Sequence, residues 1–430
     1  MSQLESLKEV IIANNSVAAE KYDQFDVKRG LRNKDDSGVL AGLTRVASVI
    51  GAKIVDSERV SVDGELTYRG QSIFKIAETF KMKDRYVYER AAYLLLTGEM
   101  PEGEGYKAFL DEIEKQSDIP DYVIEHALKG IKSPNIMNKL EIAINALYSN
   151  DSTADSVDPY ENFKKSISLI AKTPILVAYA YLIEYKKGAK LVRAPKNLSI
   201  AESFLYILHE GQEASELETQ ILDLCMALHA EHGGGNNSTF AARVVTSSNS
   251  DIYSAMSAGV GSLKGPLHGS ANYQVMSMMD NIKSNVKNWN DKEEIKSYLA
   301  KIIKKEANDK SGKIYGLGHA VYTKSDPRAI ILKKEAAKLA ELKNRKDELQ
   351  LYLNIEELGP QVFAEVKGDK KVIAPNVDFF SGFVYDCLGV PSETYTAIFA
   401  MSRISGWCAH RIEEIISGKR IIRPGYKYIG

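Results

Sequence analysis

Cysteine is scarce in this 430-residue chain: Cys225, Cys387 and Cys408 each lie in an apolar helical pattern with no paired spacing. That argues against a disulfide framework and a cysteine-rich zinc site, and it points to a reducing compartment. An excess of charge is also missing, since 56 Lys and Arg face 57 Asp and Glu for a formal net charge of −1. Neither a nucleic-acid nor a membrane-surface protein is expected from that balance, so any steering of a charged ligand must be local. The longest apolar run, TPILVAYAYLI ending at Ile183, is too short to span a bilayer. Glu5, Glu9 and Glu20 occupy an N-terminal stretch with no signal-like apolar core, so a cytoplasmic protein is expected. The phosphate-binding GxxxxGK[ST], the metalloprotease HExxH and the GxSxG turn of serine hydrolases are all absent. There is no internal repeat and no heptad series.

What is present is a concentration of histidine and glycine between His229 and Asn272, which holds three of the seven histidines. Leu217, Ile221, Leu224 and Leu228 recur at helical spacing, and one further turn reaches His232. Gly233, Gly234 and Gly235 must stop that helix. A helix C-terminus favours a protonated imidazole, so His232 is expected to be a half-buried cation suited to an anionic ligand. Asn237 and Ser238 can cap a following helix, and Asp251 another. In the latter, Ala255, Ser257, Ala258, Gly259 and Gly261 permit close backbone approach. It ends at Gly265-Pro266, with His268 next and a new helix from Ala271 to Trp289. The positive end of that helix should keep His268 neutral. His229 and His232 could share a metal, but no third ligand is evident, and none is expected.

Elsewhere the chain is helical pattern after helical pattern. A helix is expected over residues 2–21, and a β-hairpin over Ser57–Arg69 with its turn at Asp63-Gly64. GKIYGLGHAVYTKSDPR places His319 after a Gly-Leu-Gly turn, with Asp326 capping a helix that begins at Pro327. Taken alone, Arg328 reads as a solvated surface residue and Asp378, in APNVDFFSG, as a helix N-cap. The helix Glu393–Arg411 has Arg403 as its one charged interior residue, and a buried lone arginine needs an anion. The inventory suits acid–base chemistry on a small polyanion.

The motifs HAEHGGGNNSTFAARV, GPLHGSAN, GLGHAVY with its following DPR, NVDFFSG and the terminal RPGYKYIG, in this order, resemble citrate synthases. The likeness extends upstream to GELTYRG and YERAAYLLLTGEMP, and it leaves the residues before Gly38 without a role. The resemblance implies a mainly α fold with a short N-terminal hairpin. A large helical domain (residues 1–269 and 394–430) and a smaller closing domain (270–393) would pair as a homodimer. It implies His268, His319 and Asp378 as catalytic residues: Asp378 removes a proton from the acetyl-CoA methyl, His268 donates to the enolate, and His319 polarises the oxaloacetate carbonyl. Oxaloacetate would be held by His232, Arg328, Arg403 and Arg423, the last contributed by the other subunit. Gly316, Leu317, Gly318 and Lys324 would contact CoA. Acetyl-CoA enters as substrate, with no cofactor, and the reaction would be the entry step of the tricarboxylic acid cycle.

Two alternatives stay open at this stage. A 2-methylcitrate synthase differs only in taking propionyl-CoA, and one methylene is worth only about 1–3 kcal/mol of discrimination. A non-catalytic dicarboxylate- or CoA-binding homologue would have no need of the base Asp378.

Overall fold

The computed structural model describes residues 7–35, 37–83, 86–269, 271–368 and 373–429. The chain forms two compact units, Met1–Leu43 and Thr44–Gly430. In the first, the helix expected over residues 2–21 is described from Leu7 onward, residues 2–6 lying outside the described part. It splits into Leu7–Asn15 and Ala19–Gln24. The break follows from local competition for carbonyls. Asn15 donates its side-chain amide to Ile11 O (2.8 Å), and Ser16 donates its hydroxyl to Ile12 O (2.6 Å).

The second unit opens with a small antiparallel sheet, β1 (Ala47–Val55), β2 (Glu58–Tyr68) and the two-residue β3 (Gln71–Ser72), in the order β1-β2-β3. The hairpin exists, but its turn is not Asp63-Gly64. Val55 pairs with Glu58, so the turn is Asp56-Ser57, both at positive φ (50° and 68°) as a tight two-residue turn requires. Asp63 and Gly64 lie inside β2 for another reason. A Cβ on Gly64 would stand 2.2 Å from Ser325 O, and Asp63 Oδ1 accepts the Ser325 hydroxyl (3.0 Å). The glycine admits a crossing backbone rather than a reversal.

Beyond Ser72 the unit is helical, as expected. Its axis is the helix Tyr395–Glu413, buried from Ala397 to Arg411 and packed, among the described residues, against seven α-helices: Val87–Thr97, Ile136–Leu147, Pro159–Tyr185, Glu216–His229, Asn237–Ser247, Ile252–Lys264 and Ala271–Asn285. The small residues predicted for close approach do that: a Cβ on Gly259 would be 3.0 Å from the Trp407 indole, itself fully buried. Asp251 caps this helix as expected, accepting Ser254 N–H (2.8 Å). The helix Pro159–Tyr185 is long and apolar enough to cross a bilayer by length and composition, more than its short apolar run suggested. Yet 89% of its most apolar window is buried within the protein.

Candidate active site

The helix Glu216–His229 stops at His229, one turn earlier than the apolar stripe suggested, and Ala230–Gly235 forms a turn closed by Gly233 at φ 85°. His232 therefore lies beyond the helix, yet it is buried, with its ring edge-on to His319 (centroids 5.1 Å apart) and Nε2 3.2 Å from the Tyr322 hydroxyl. The expectation that His232 is a cation fails. Burial, followed by the positive charge of Arg328 and the neighbouring His319, lowers its pKa well below 6.5. The helix dipole loses because the ring sits off the helix end, among cations and out of water. His229, behind it, donates Nδ1–H to Cys225 O (2.8 Å) and is pushed down to about 3, chiefly by burial.

Cations come from two arginines. Arg328 is not a surface residue: it is 3% exposed and forked onto Asp326, Nε to Oδ1 at 3.0 Å and Nη2 to Oδ2 at 2.7 Å. Asp326 is also the N-cap expected of it, accepting Arg328 N–H (3.0 Å) with Pro327 at the first helical position. Its carboxylate offsets the penalty that burial places on the guanidinium. Arg403 has no such relief. It is fully buried, donates Nε–H to His229 O (2.6 Å), and lies over the Phe399 ring at 4.7 Å. Neither terminal nitrogen has a hydrogen-bond partner among the described residues. Burial draws its pKa down to about 10, so it keeps its charge at neutral pH. Two unsatisfied donors on a buried cation are costly unless an anion occupies them.

The other two histidines are fixed as neutral donors by backbone N–H groups. Ser238 N–H donates to His268 Nε2 (3.3 Å), and Trp407 Nε1–H donates to Ser238 Oγ (3.2 Å), whose oxygen is 3.1 Å from the same Nε2. The His268 proton thus resides on Nδ1. Its pKa falls to about 4, from burial first and Arg403 second, so neutrality is reached by a route other than the helix dipole. Val321 and Tyr322 N–H donate to His319 Nδ1 (3.0 and 3.2 Å), which leaves the proton on Nε2.

The segment Ala374–Asn376 pairs with the glycine turn. Gly318 N–H bonds Ala374 O (2.8 Å), Asn376 N–H bonds Gly316 O (2.9 Å), and Asn376 Nδ2 bonds Gly318 O (2.8 Å). Gly316 must be glycine: its φ is 81° and a Cβ would stand 2.7 Å from Phe379. Asn376, not Asp378, is the N-cap of helix Val377–Cys387; it accepts Asp378 N–H (3.0 Å) and frees the Asp378 side chain. Burial pushes Asp378 up to about 6, with Asp326 adding to the effect and Arg328 opposing it. A cavity of about 310 Å³ opens beside this strip, lined by His268, Gln274, Lys313, Gly316, Leu317 and Phe363 among others. Gly316 and Leu317 are thus where a ligand would pass them, whereas Lys324 is exposed and does not line the cavity. Arg423 is likewise exposed, in a tail without regular structure.

The sequence reading missed several parts of this arrangement. Asn237 and Ser238 do not cap their helix: the N-cap is Asn236, they are its first two residues, and Ser238 orients His268. Asp326 is the cap expected of it but also orients Arg328, and Tyr322 and Trp407 carried no signal beyond being aromatic.

Neutral histidine donors, a raised carboxylate and two buried arginines around a cleft define a site for acid–base chemistry on a small anion beside a longer ligand. The family model for the citrate synthase C-terminal domain matches residues 37–425. The chain is 37% identical to citrate synthase 2 of Bacillus subtilis, over 91% of this chain and 94% of that one. It is 34% identical to the citrate synthase of Haloferax volcanii, over 88% and 94%. Among solved structures it resembles the citrate synthase of Thermoplasma acidophilum in ternary complex with carboxymethyl coenzyme A and oxaloacetate, with TM-score 0.77 and 28% identity over 94% and 96% of the two chains. The protein belongs to the citrate synthase family.

Proposed function

We propose that this chain condenses acetyl-CoA with oxaloacetate and hydrolyses the resulting citryl-CoA to citrate and CoA. The observation that carries the reading is Arg403: a fully buried guanidinium with two nitrogens unpartnered among the described residues, beside neutral histidines, suits a carboxylate ligand such as oxaloacetate. Arg328 adds a second cation, held by Asp326. In this account His319 donates Nε2–H to the ketone oxygen of oxaloacetate. Asp378 takes a methyl proton of acetyl-CoA, and His268 donates Nδ1–H to the enolate oxygen as charge develops there. A carboxylate is a weak base for a carbon acid, so the preorganised donor supplies much of the rate. His232 orients the substrate as a neutral hydrogen-bonding group. The thioester arm follows the cavity past Gly316 and Leu317, with Gly318 completing that turn and Lys324 reaching CoA phosphate outside it. Residues 270–393 move as the closing domain, and Arg423 enters the site from a second copy of the chain.

The test is thiol release by the purified protein with oxaloacetate and either acetyl-CoA or propionyl-CoA. A clear kcat/KM preference for acetyl-CoA, with citrate formed one for one with thiol, is the expected result. No thiol from either acyl-CoA would overturn the enzyme reading.

A further inference from the structure

Arg403 has one buried carboxylate close by that the chemistry above does not use. Arg403, Gly406 and His410 follow one another along one face of the central helix, and Glu231 in the His232 turn is lodged against that face. A Cβ on Gly406 would lie 2.2 Å from Glu231 Oε2 and 2.4 Å from Ala230 O, so only glycine lets the carboxylate in. Oε1 accepts Gly233 N–H and the His410 Nε2 contact at 3.0 Å. Arg243 Nη1–H points at His410 Nδ1 (2.8 Å) and at Glu413 (2.8 Å), so the far side of the cluster is already satisfied. Oε2 has no partner among the described residues, and both Glu231 and His410 are fully buried. Burial alone would raise the Glu231 pKa, yet His410, Arg403 and the Gly233 N–H together hold it below the usual carboxylate range. It is therefore an anion, and it opposes the desolvation of Arg403 more than any other group.

We infer that Glu231 is a positioning residue that sets how strongly the site holds its anion, by partly neutralising Arg403 from the side away from the ligand. Without that carboxylate, the cleft would carry more positive charge and would retain a trianionic product such as citrate; with it, the unliganded arginine is tolerated and the product can leave. This rests on the reading of Arg403 as a ligand for oxaloacetate.

The sign of the effect makes the inference testable. Glu231→Gln keeps the shape and removes the charge. The KM for oxaloacetate and the inhibition constant of citrate against oxaloacetate should each fall roughly threefold to tenfold. The KM for acetyl-CoA should stay within twofold, and kcat should fall as product release slows. A residue that merely holds the turn would give the opposite: a raised oxaloacetate KM, or none of these shifts, and either result overturns the inference. If the Gln variant does not fold, Glu231→Asp decides. It keeps the charge but shortens the reach to Gly233, so charge control predicts an oxaloacetate KM within about twofold, and a clear rise contradicts it. Arg403→Leu, measured for oxaloacetate binding by calorimetry, separates the two layers. Unchanged binding there removes the reading of Arg403 itself, whereas the Glu231 variants test only the control of it.

Discussion

At the scale of single residues, desolvation sets the chemistry of the site before any substrate arrives. Asp378 ionises with a pKa raised to about 6, so kcat/KM should climb from pH 5 to 7 along a single ionisation near 6. A profile flat down to pH 5 would contradict its role as base. The same shift has a stability consequence of opposite sign to the usual carboxylate. Below about pH 4 the group is neutral in both folded and unfolded chains and costs nothing; above about 6 it is charged in both and the full penalty of burying it applies. Asp378→Asn should therefore stabilise the protein by about 1–2 kcal/mol at pH 8 and by little at pH 4, read from urea unfolding at both values. Arg403→Leu should weaken oxaloacetate binding about 30-fold or more in calorimetry, because the buried cation and its free donors are gone. The unliganded variant should melt no lower than the wild type. Arg403 was legible in the sequence because a lone charge stood in an apolar helix. The neutrality of His232 was not: it depends on Arg328, 96 positions along the chain, and on burial that a local helix-end argument cannot see.

At the scale of elements, helix positions and caps could be read because periodicity and capping are local. Asp251 caps its helix and Asp326-Pro327 opens another, as those residues imply, whereas the cap expected at Asn237 and Ser238 falls on Asn236. The hairpin turn was misread because Asp-Gly is a strong local turn signal, while the reason for Gly64 lies in Ser325, far away in sequence. The true turn, Asp56-Ser57, places two side-chain-bearing residues at positive φ. Ser57→Gly should therefore raise stability by about 0.5–1 kcal/mol without changing activity, whereas Gly64→Ala should lower it by about 1–3 kcal/mol. Denaturant midpoints of the two variants moving in the same direction would refute that division.

At the scale of the whole molecule, the site draws on segments that are distant in the chain: the 230–235 turn, the His268 turn, the glycine strip at 316–318 with Asp378, and the central helix. Motif order made that assembly readable, since the resemblance spans most of the chain; the tail was another matter. Ile421, Tyr426 and Tyr428 are 63%, 97% and 86% exposed, so these apolar and aromatic side chains stay largely uncovered, although Ile422 N–H bonds Ser247 Oγ (3.0 Å). If Arg423 completes the site of a second copy, two inactive variants, His268→Ala and Arg423→Ala, should regain thiol-releasing activity when their subunits are exchanged. A mixture that stays inactive would place Arg423 in its own chain's site or in none. The most direct test of the central claim, that Asp378 does the chemistry while buried cations do the binding, is to measure Asp378→Asn twice. Thiol release should fall by about 10²–10⁴-fold while the calorimetric dissociation constant for oxaloacetate stays within a few-fold of wild type. Turnover near the wild-type rate, or oxaloacetate binding lost together with it, would contradict the account.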